Sequence, residues 1–315
     1  MINILLTGST GFLGRSLAKD IAGQRDCLLS VSLRSAGSNC PYMHFEIPDL
    51  TIATDWTAAL ANQQVVIHAA ARAHIMKDEV ADPLAEYRKV NVDGTINLAR
   101  QAAEAGVKRF IFISSIKVNG EQTPLGKPFT AADVPAPEDA YGISKFEAEQ
   151  GLQVLAKETG MEVVIIRPPL VYGPNVKGNF ANMNRLVAKG LPLPLGAIHN
   201  QRSLVALDNL VDLIITCLDH PAAANQVFLA GDGEDVSTTE LLRGVGKAMG
   251  KPARLIPVPA GMLQLGASML GKKAMAQRLL GTLQVDISKT KELLNWTPPL
   301  TVEQGLKRCF DDPNF

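Results

Sequence analysis

Tyr141 and Lys145 stand four residues apart in the run Tyr141-Gly142-Ile143-Ser144-Lys145, so on a helix they share a face and can reach into one site. A phenol in isolation titrates near about 10, too high for a general base around neutrality, and a neighbouring ammonium favours its ionised form. Run in the other direction, the same phenol is an acid that returns a proton to an oxygen. The pair is therefore a candidate proton donor and acceptor at an oxygen of a bound substrate.

A place for a dinucleotide lies at the start of the chain. Gly8-Ser9-Thr10-Gly11-Phe12-Leu13-Gly14 follows an apolar run and opens a helical stretch, the context a dinucleotide fingerprint requires. Gly8 permits a tight turn, Gly11 lets the backbone approach a pyrophosphate, and Gly14 lets the helix pack closely while its N-terminus faces negative charge. Residues 8–13 are thus candidate dinucleotide contacts. The second strand ends Val31-Ser32-Leu33-Arg34-Ser35, about twenty residues past the loop, where an NAD site offers an acidic side chain to the ribose hydroxyls. Arg34 instead favours a 2′-phosphate by charge and by its forked donors, so NADP(H) is expected, with NAD(H) as the alternative.

The elements that must position these groups follow from hydrophobic patterning. Short β-branched runs at 2–7, 28–33, 64–68, 109–114 and 162–167 alternate with helical stretches at 12–24, 84–105 and 139–159. Such alternation predicts an α/β fold, a Rossmann-type doubly wound parallel sheet over residues 1–170. Val65-Val66-Ile67 and Phe110-Ile111-Phe112-Ile113 are continuously apolar, as strands covered on both faces are. After Arg167-Pro168-Pro169 the texture turns Pro- and Gly-rich, with shorter elements at 208–219, 237–249 and 301–309. Residues 171–315 are expected to form a smaller mixed α/β substrate lobe that closes over the carboxyl ends of the strands.

Composition removes several function classes. The 315 residues carry 31 basic and 31 acidic side chains, so no summed field draws the protein to nucleic acid. Cys27, Cys40, Cys217 and Cys309 are scattered, without metal-ligand spacing or disulfide density, so no metal site is expected and a reducing cytoplasm is the simplest location. The apolar N-terminus lacks a charged leader and reads as a buried strand. Residues 258–270, the longest apolar stretch elsewhere, are broken by Pro259, Gly261, Gln264 and Gly266 and are too short to span a bilayer. They read as a packed helix, with contact to a membrane surface the weaker alternative.

These features together resemble the extended short-chain dehydrogenase/reductases of the NAD-dependent epimerase/dehydratase family, and the likeness runs almost from end to end. The glycine spacing matches, and later motifs follow in order. The resemblance implies that Asp49-Leu50 lies against adenine, that the turn His68-Ala69-Ala70-Ala71 underlies the cofactor, and that Asn91-Val92-Asp93-Gly94-Thr95 is the family's Asn-containing helix. It also implies that Ser115, Tyr141 and Lys145 are catalytic. Ser114 closes the preceding strand beside Ser115, and Ser114, Asn91, Tyr141 and Lys145 would also meet the cofactor. Ser115 would donate to the reacting oxygen, and Lys145 would hold the nicotinamide ribose.

The substrate implied by the resemblance is a sugar nucleotide, most simply a UDP-sugar. Arg167-Pro168-Pro169-Leu170-Val171-Tyr172-Gly173-Pro174 is similar to the family's segment leading into the sugar-nucleotide lobe, except that Leu170 stands where Asn is usual. Asn179-Phe180 resembles the pair whose backbone meets the base, Arg202 the diphosphate-binding Arg, and Arg278 a second such candidate; Lys117 adjoins the catalytic hydroxyl. Ile116 and Lys117 replace the Asp-Glu pair of the 4,6-dehydratases, which argues against that activity. Ser114-Ser115-Ile116-Lys117-Val118-Asn119-Gly120 resembles the branch that reduces UDP-4-keto-6-deoxy-N-acetylglucosamine to UDP-N-acetylquinovosamine for polysaccharide assembly. A 4-ketoreductase is therefore the favoured expectation. The alternatives are a UDP-glucose or UDP-N-acetylglucosamine 4-epimerase with retained NAD and, more remotely, a dinucleotide-sensing protein without turnover. Assembly as a homodimer is left open.

Overall fold

The computed structural model describes residues 1–35, 40–72, 82–176 and 178–311. Among these residues ten strands run in chain order: β1 (Ile2–Thr7), β2 (Cys27–Leu33), β3 (Met43–Glu46), β4 (Val65–His68), β5 (Arg109–Ile113), β6 (Glu162–Arg167), β7 (Leu170–Tyr172), β8 (Arg202–Ala206), β9 (Val227–Leu229) and β10 (Asp235–Val236). Twelve α-helices accompany them: α1 (Phe12–Ala22), α2 (Thr57–Leu60), α3 (Pro83–Arg88), α4 (Thr95–Glu104), α5 (Ala140–Thr159), α6 (Asn179–Ala188), α7 (Leu207–Thr216), α8 (Thr238–Ala248), α9 (Ala260–Met269), α10 (Lys273–Leu280), α11 (Ser288–Leu294) and α12 (Val302–Arg308).

Seven strands form one parallel sheet in the order β3-β2-β1-β4-β5-β6-β9. The chain starts in its middle and reverses direction between β1 and β4, the switch point at which an open α/β sheet leaves a crevice. The continuous apolar runs are divided between two cores by the two-residue period of a strand. Ile4, Leu6, Ile111 and Ile113 face α1 and α7, whereas Leu5, Phe110 and Phe112 face α4 and α5. Both faces are sealed, so the site can open only at a strand end.

The Rossmann-type α/β fold expected from the alternation is present. The boundary at 170, however, does not divide the sheet: α7 and β9, both beyond it, complete the first layer. What remains is a three-stranded sheet, β10-β8-β7, with α6, α8 and α12 around the core of Tyr172, Phe180, Leu204, Leu242 and Leu306. The helix expected at 84–105 is interrupted by a π turn at Lys89–Gly94. In that turn Gly94 comes so close to the Leu50 carbonyl that a Cβ would lie 2.8 Å from its oxygen.

Residues 258–270 differ from the packed helix expected of them. No residue of α9 is fully buried; Ala260, Leu263 and Ala267 lean on Ile198, Ala276 and Leu280 while Met262, Leu265 and Met269 face solvent. Its apolar residues lie on more than one side, so a single contact leaves a second apolar face uncovered.

Candidate active site

The carboxyl ends of β1, β4 and β5 carry the glycine turn, the His68-Ala69-Ala70 turn and Ser114-Ser115 respectively. Gly8 has φ +77°, and a Cβ there would lie 2.7 Å from the Ala70 amide nitrogen, so only glycine allows the two turns to approach. A Cβ on Gly14 would meet the Gly8 carbonyl oxygen at 2.0 Å. Gly11 is the N-cap of α1 without a side-chain cap, and its own amide donates to the Gly8 carbonyl at 2.9 Å. The helix therefore presents backbone donors that no side chain covers, a cradle fitting the pyrophosphate of a dinucleotide. Ser9 is buried, Thr10 is exposed, and Phe12 and Leu13 are half-buried at the rim.

Behind this turn, His68 is fixed between two threonines. Its Nδ1 lies 2.7 Å from Thr7 Oγ1 and its Nε2 3.0 Å from Thr95 Oγ1. Burial, with Lys145 adding to it, lowers its pKa to about 3, so the ring is neutral and structural. Arg34 is exposed at the end of β2, while Asp49 is exposed and Leu50 half-buried, their backbone held near the π turn.

Asp139 caps α5 by accepting from the Gly142 amide at 2.7 Å, which sets where the helix starts and so where Tyr141 stands. One turn on, Lys145 is buried; its Nζ donates to the Ile113 carbonyl at 2.8 Å and lies 4.4 Å from the Phe112 ring centroid and 6.0 Å from that of Tyr141. Burial pulls the Lys145 pKa down to about 7, with Glu149 opposing. The Tyr141 phenol is pushed above its ordinary range by burial, the Asp139 carboxylate and Tyr87. Thus the protein alone holds Tyr141 as an acid. The ammonium that the spacing brings toward Tyr141 is anchored on the Ile113 carbonyl at the strand end.

Ser115 and Ser114 face different ways. Ser115 is half-buried, and its Oγ accepts weakly from the Lys117 amide at 3.3 Å, leaving the hydroxyl proton for another partner. The Ser114 hydroxyl is buried and donates to Glu149 at 2.5 Å, so its side chain is already engaged by the helix behind it. Asn91 is engaged in a similar way. Its Oδ1 accepts from the Arg72 amide at 2.8 Å, and its Nδ2 donates to the Arg72 carbonyl at 3.1 Å and to Ser144 Oγ at 3.0 Å. Ser144 passes the bond on to the Tyr141 carbonyl at 2.8 Å, so Asn91 positions the helix that carries Tyr141.

In the second lobe, Arg202 begins β8, and its Nη1 donates to the Gly281 carbonyl at 3.1 Å. Burial lowers its pKa, and no carboxylate pairs with it among the described residues, a state that suits an incoming anion. The other substrate candidates fare differently. Lys117 is tied to Glu121 at 2.8 Å and to Asp139; burial pulls its ammonium down, but these two carboxylates outweigh it and leave the pKa raised. Phe180 is a core residue stacked on Tyr172 with centroids 5.6 Å apart, so only its backbone can meet a base. Asn179 opens α6, and its side chain lies outside what is described. Arg278 is exposed on the last turn of α10.

Glu149 was not singled out in the sequence, yet it joins Ser114 to Arg167 beneath the site. Its position four residues past Lys145, on the same helical face, was the available signal.

Comparison with known proteins agrees with this geometry. The family model described as NAD dependent epimerase/dehydratase matches residues 4–231. A UDP-glucose 4-epimerase of Vibrio cholerae is 55% identical over 307 residues, covering 97% of this chain and 94% of that protein. An Escherichia coli O157:H7 N-acetyl-alpha-D-glucosaminyl-diphospho-ditrans,octacis-undecaprenol 4-epimerase is 29% identical over 97% of this chain and 93% of its own. Among solved structures, UDP-N-acetylglucosamine 4-epimerase from Bacillus cereus superposes with a TM-score of 0.80 at 21% identity, covering 98% of this chain and 97% of that one. With its glycine cradle, its parallel sheet and a relative similar from end to end, the chain belongs to the NAD-dependent epimerase/dehydratase family.

Proposed function

We propose that this protein is a UDP-sugar 4-epimerase that interconverts UDP-glucose and its C4 epimer on a retained NAD. The observation that carries this reading is the 55% identity, over nearly the whole of both chains, to a UDP-glucose 4-epimerase. The 4-ketoreductase favoured from residues 114–120 is less well supported. Lys117, within the segment whose resemblance favoured it, is engaged with Glu121 and Asp139 and has a structural reason to be there.

In this reading residues 8–13 hold the dinucleotide diphosphate and Lys145 the nicotinamide ribose, while NAD supplies reversible hydride exchange at C4. Tyr141, a phenolate once the positive charge of oxidised nicotinamide lies beside it, takes the C4 hydroxyl proton during oxidation and returns it to the C4 oxygen during reduction. Ser115 donates to that oxygen, and Arg202 binds the diphosphate so that the keto sugar can turn over without leaving.

The test is incubation of purified protein with UDP-glucose and nothing added. Epimer formation is expected, and Tyr141→Phe should lower kcat roughly 10²- to 10⁴-fold while dinucleotide still binds. No epimer from UDP-glucose or UDP-N-acetylglucosamine, together with stoichiometric NADPH oxidation on UDP-4-keto-6-deoxy-N-acetylglucosamine, would overturn it.

A further inference from the structure

α9 carries no charged residue, and its outward stripe is apolar: Met262 is 66%, Leu265 67%, Met269 81% and the following Leu270 73% exposed. Positions 262, 265 and 269 recur at helical spacing, so these side chains form one continuous face, with Leu270 at its edge. Gln264 and Ser268 lie beside it. A face of this kind in water is a binding surface or a liability.

The surrounding charge identifies the partner. Residues 251–280 contain Lys251, Arg254, Lys272, Lys273 and Arg278 and no acidic residue, in a chain whose total charge is balanced. All five are exposed, and none makes an ion pair among the described residues. An uncharged apolar helix flanked on both sides by cations alone is complementary to a surface that is apolar inside and anionic outside. A second copy of this chain would bring the same cations together, which repel.

We propose that α9, with its flanking cations, docks this protein on the surface of an anionic phospholipid bilayer, as a peripheral contact and not a span. No helix among the described residues is long and apolar enough to cross a membrane. Docking would also orient the substrate lobe. α10 ends at Leu280, next to Gly281, whose carbonyl accepts from both Arg202 at 3.1 Å and Asn200 at 2.8 Å. The candidate diphosphate site therefore sits against the hairpin of α9 and α10.

Vesicle flotation tests the proposal with the full-length protein. It should float with phosphatidylglycerol-containing vesicles and much less with pure phosphatidylcholine, and salt should weaken the association. Leu265→Glu with Met269→Glu should lower the bound fraction by about tenfold or more, and Lys272→Glu with Lys273→Glu should do so on anionic vesicles only. Circular dichroism and epimerisation of a soluble UDP-sugar should be unchanged in both variants, which separates failed docking from failed folding. Failure to float with anionic vesicles would overturn the proposal. Equal flotation of the variants would do so too, as would a self-association by light scattering that Leu265→Glu abolishes while vesicle binding persists.

Discussion

Glu149 and Arg167 meet as a buried, two-pronged ion pair, with Nη2 at 2.5 Å from Oε2 and Nε at 3.0 Å from Oε1. Glu149 lies on the Tyr141–Lys145 helix, one turn beyond Lys145, and Arg167 ends β6. Ser114 from the end of β5 and Asn119 complete the cluster, the latter accepting from Arg167 Nη1 at 2.9 Å. The cluster fixes α5 to two strand ends, so the distance from Tyr141 to Ser115 is set by interactions that neither residue makes.

That arrangement predicts an asymmetric mutational response. Glu149→Gln leaves Arg167 buried without its counter-charge and should cost about 3–5 kcal/mol of unfolding free energy. Replacing both, Glu149→Met with Arg167→Met, should recover much of this loss. Chemical denaturation measures it; a cost for Glu149→Gln below about 1 kcal/mol, the range of an exposed pair, would show the cluster to be dispensable.

Lys145 predicts a pH dependence of stability. Its folded pKa is lowered to about 7 from an ordinary 10.5. Between these values the unfolded chain binds more protons than the folded one, so stability of the cofactor-free protein should rise with pH across this window. Below about 7 both states are protonated and this group contributes no further slope. Each unit of lowering corresponds to about 1.4 kcal/mol. Lys145→Met should flatten the profile of urea midpoint against pH; an identical slope in the variant would contradict the assignment.

Arg34 predicts cofactor tolerance. It is exposed at the end of β2, where a 2′-phosphate could reach it, although the reading as an epimerase requires only NAD. Arg34→Ala should weaken NADPH binding by about tenfold, the value of a charge-assisted hydrogen bond, and leave NADH binding within about twofold. Fluorescence titration decides this, and equal losses for both cofactors would show that Arg34 does not read the phosphate.

Local patterning alone determined the glycine turn, the buried strands and the helical spacing of Tyr141 and Lys145, because each depends on residues near one another in the chain. β1 and β6 fall at the expected bounds. Residues 114–120 do not by themselves show what Lys117 does, since the carboxylates it pairs with, Glu121 and Asp139, lie outside that segment. Likewise no local pattern reveals that Glu149 holds the Ser114 side chain, or that Arg72 with Ser144 holds that of Asn91. β9 joins the main sheet from beyond the expected lobe boundary because its partner β6 lies about sixty residues away in sequence, a separation no local pattern reveals. Only tertiary packing decides which of two chemically equal neighbours, such as Ser114 and Ser115, turns toward a buried carboxylate and which keeps its hydroxyl for the site, because the strand's alternation sends them to opposite sides and the helix behind supplies Glu149 to only one.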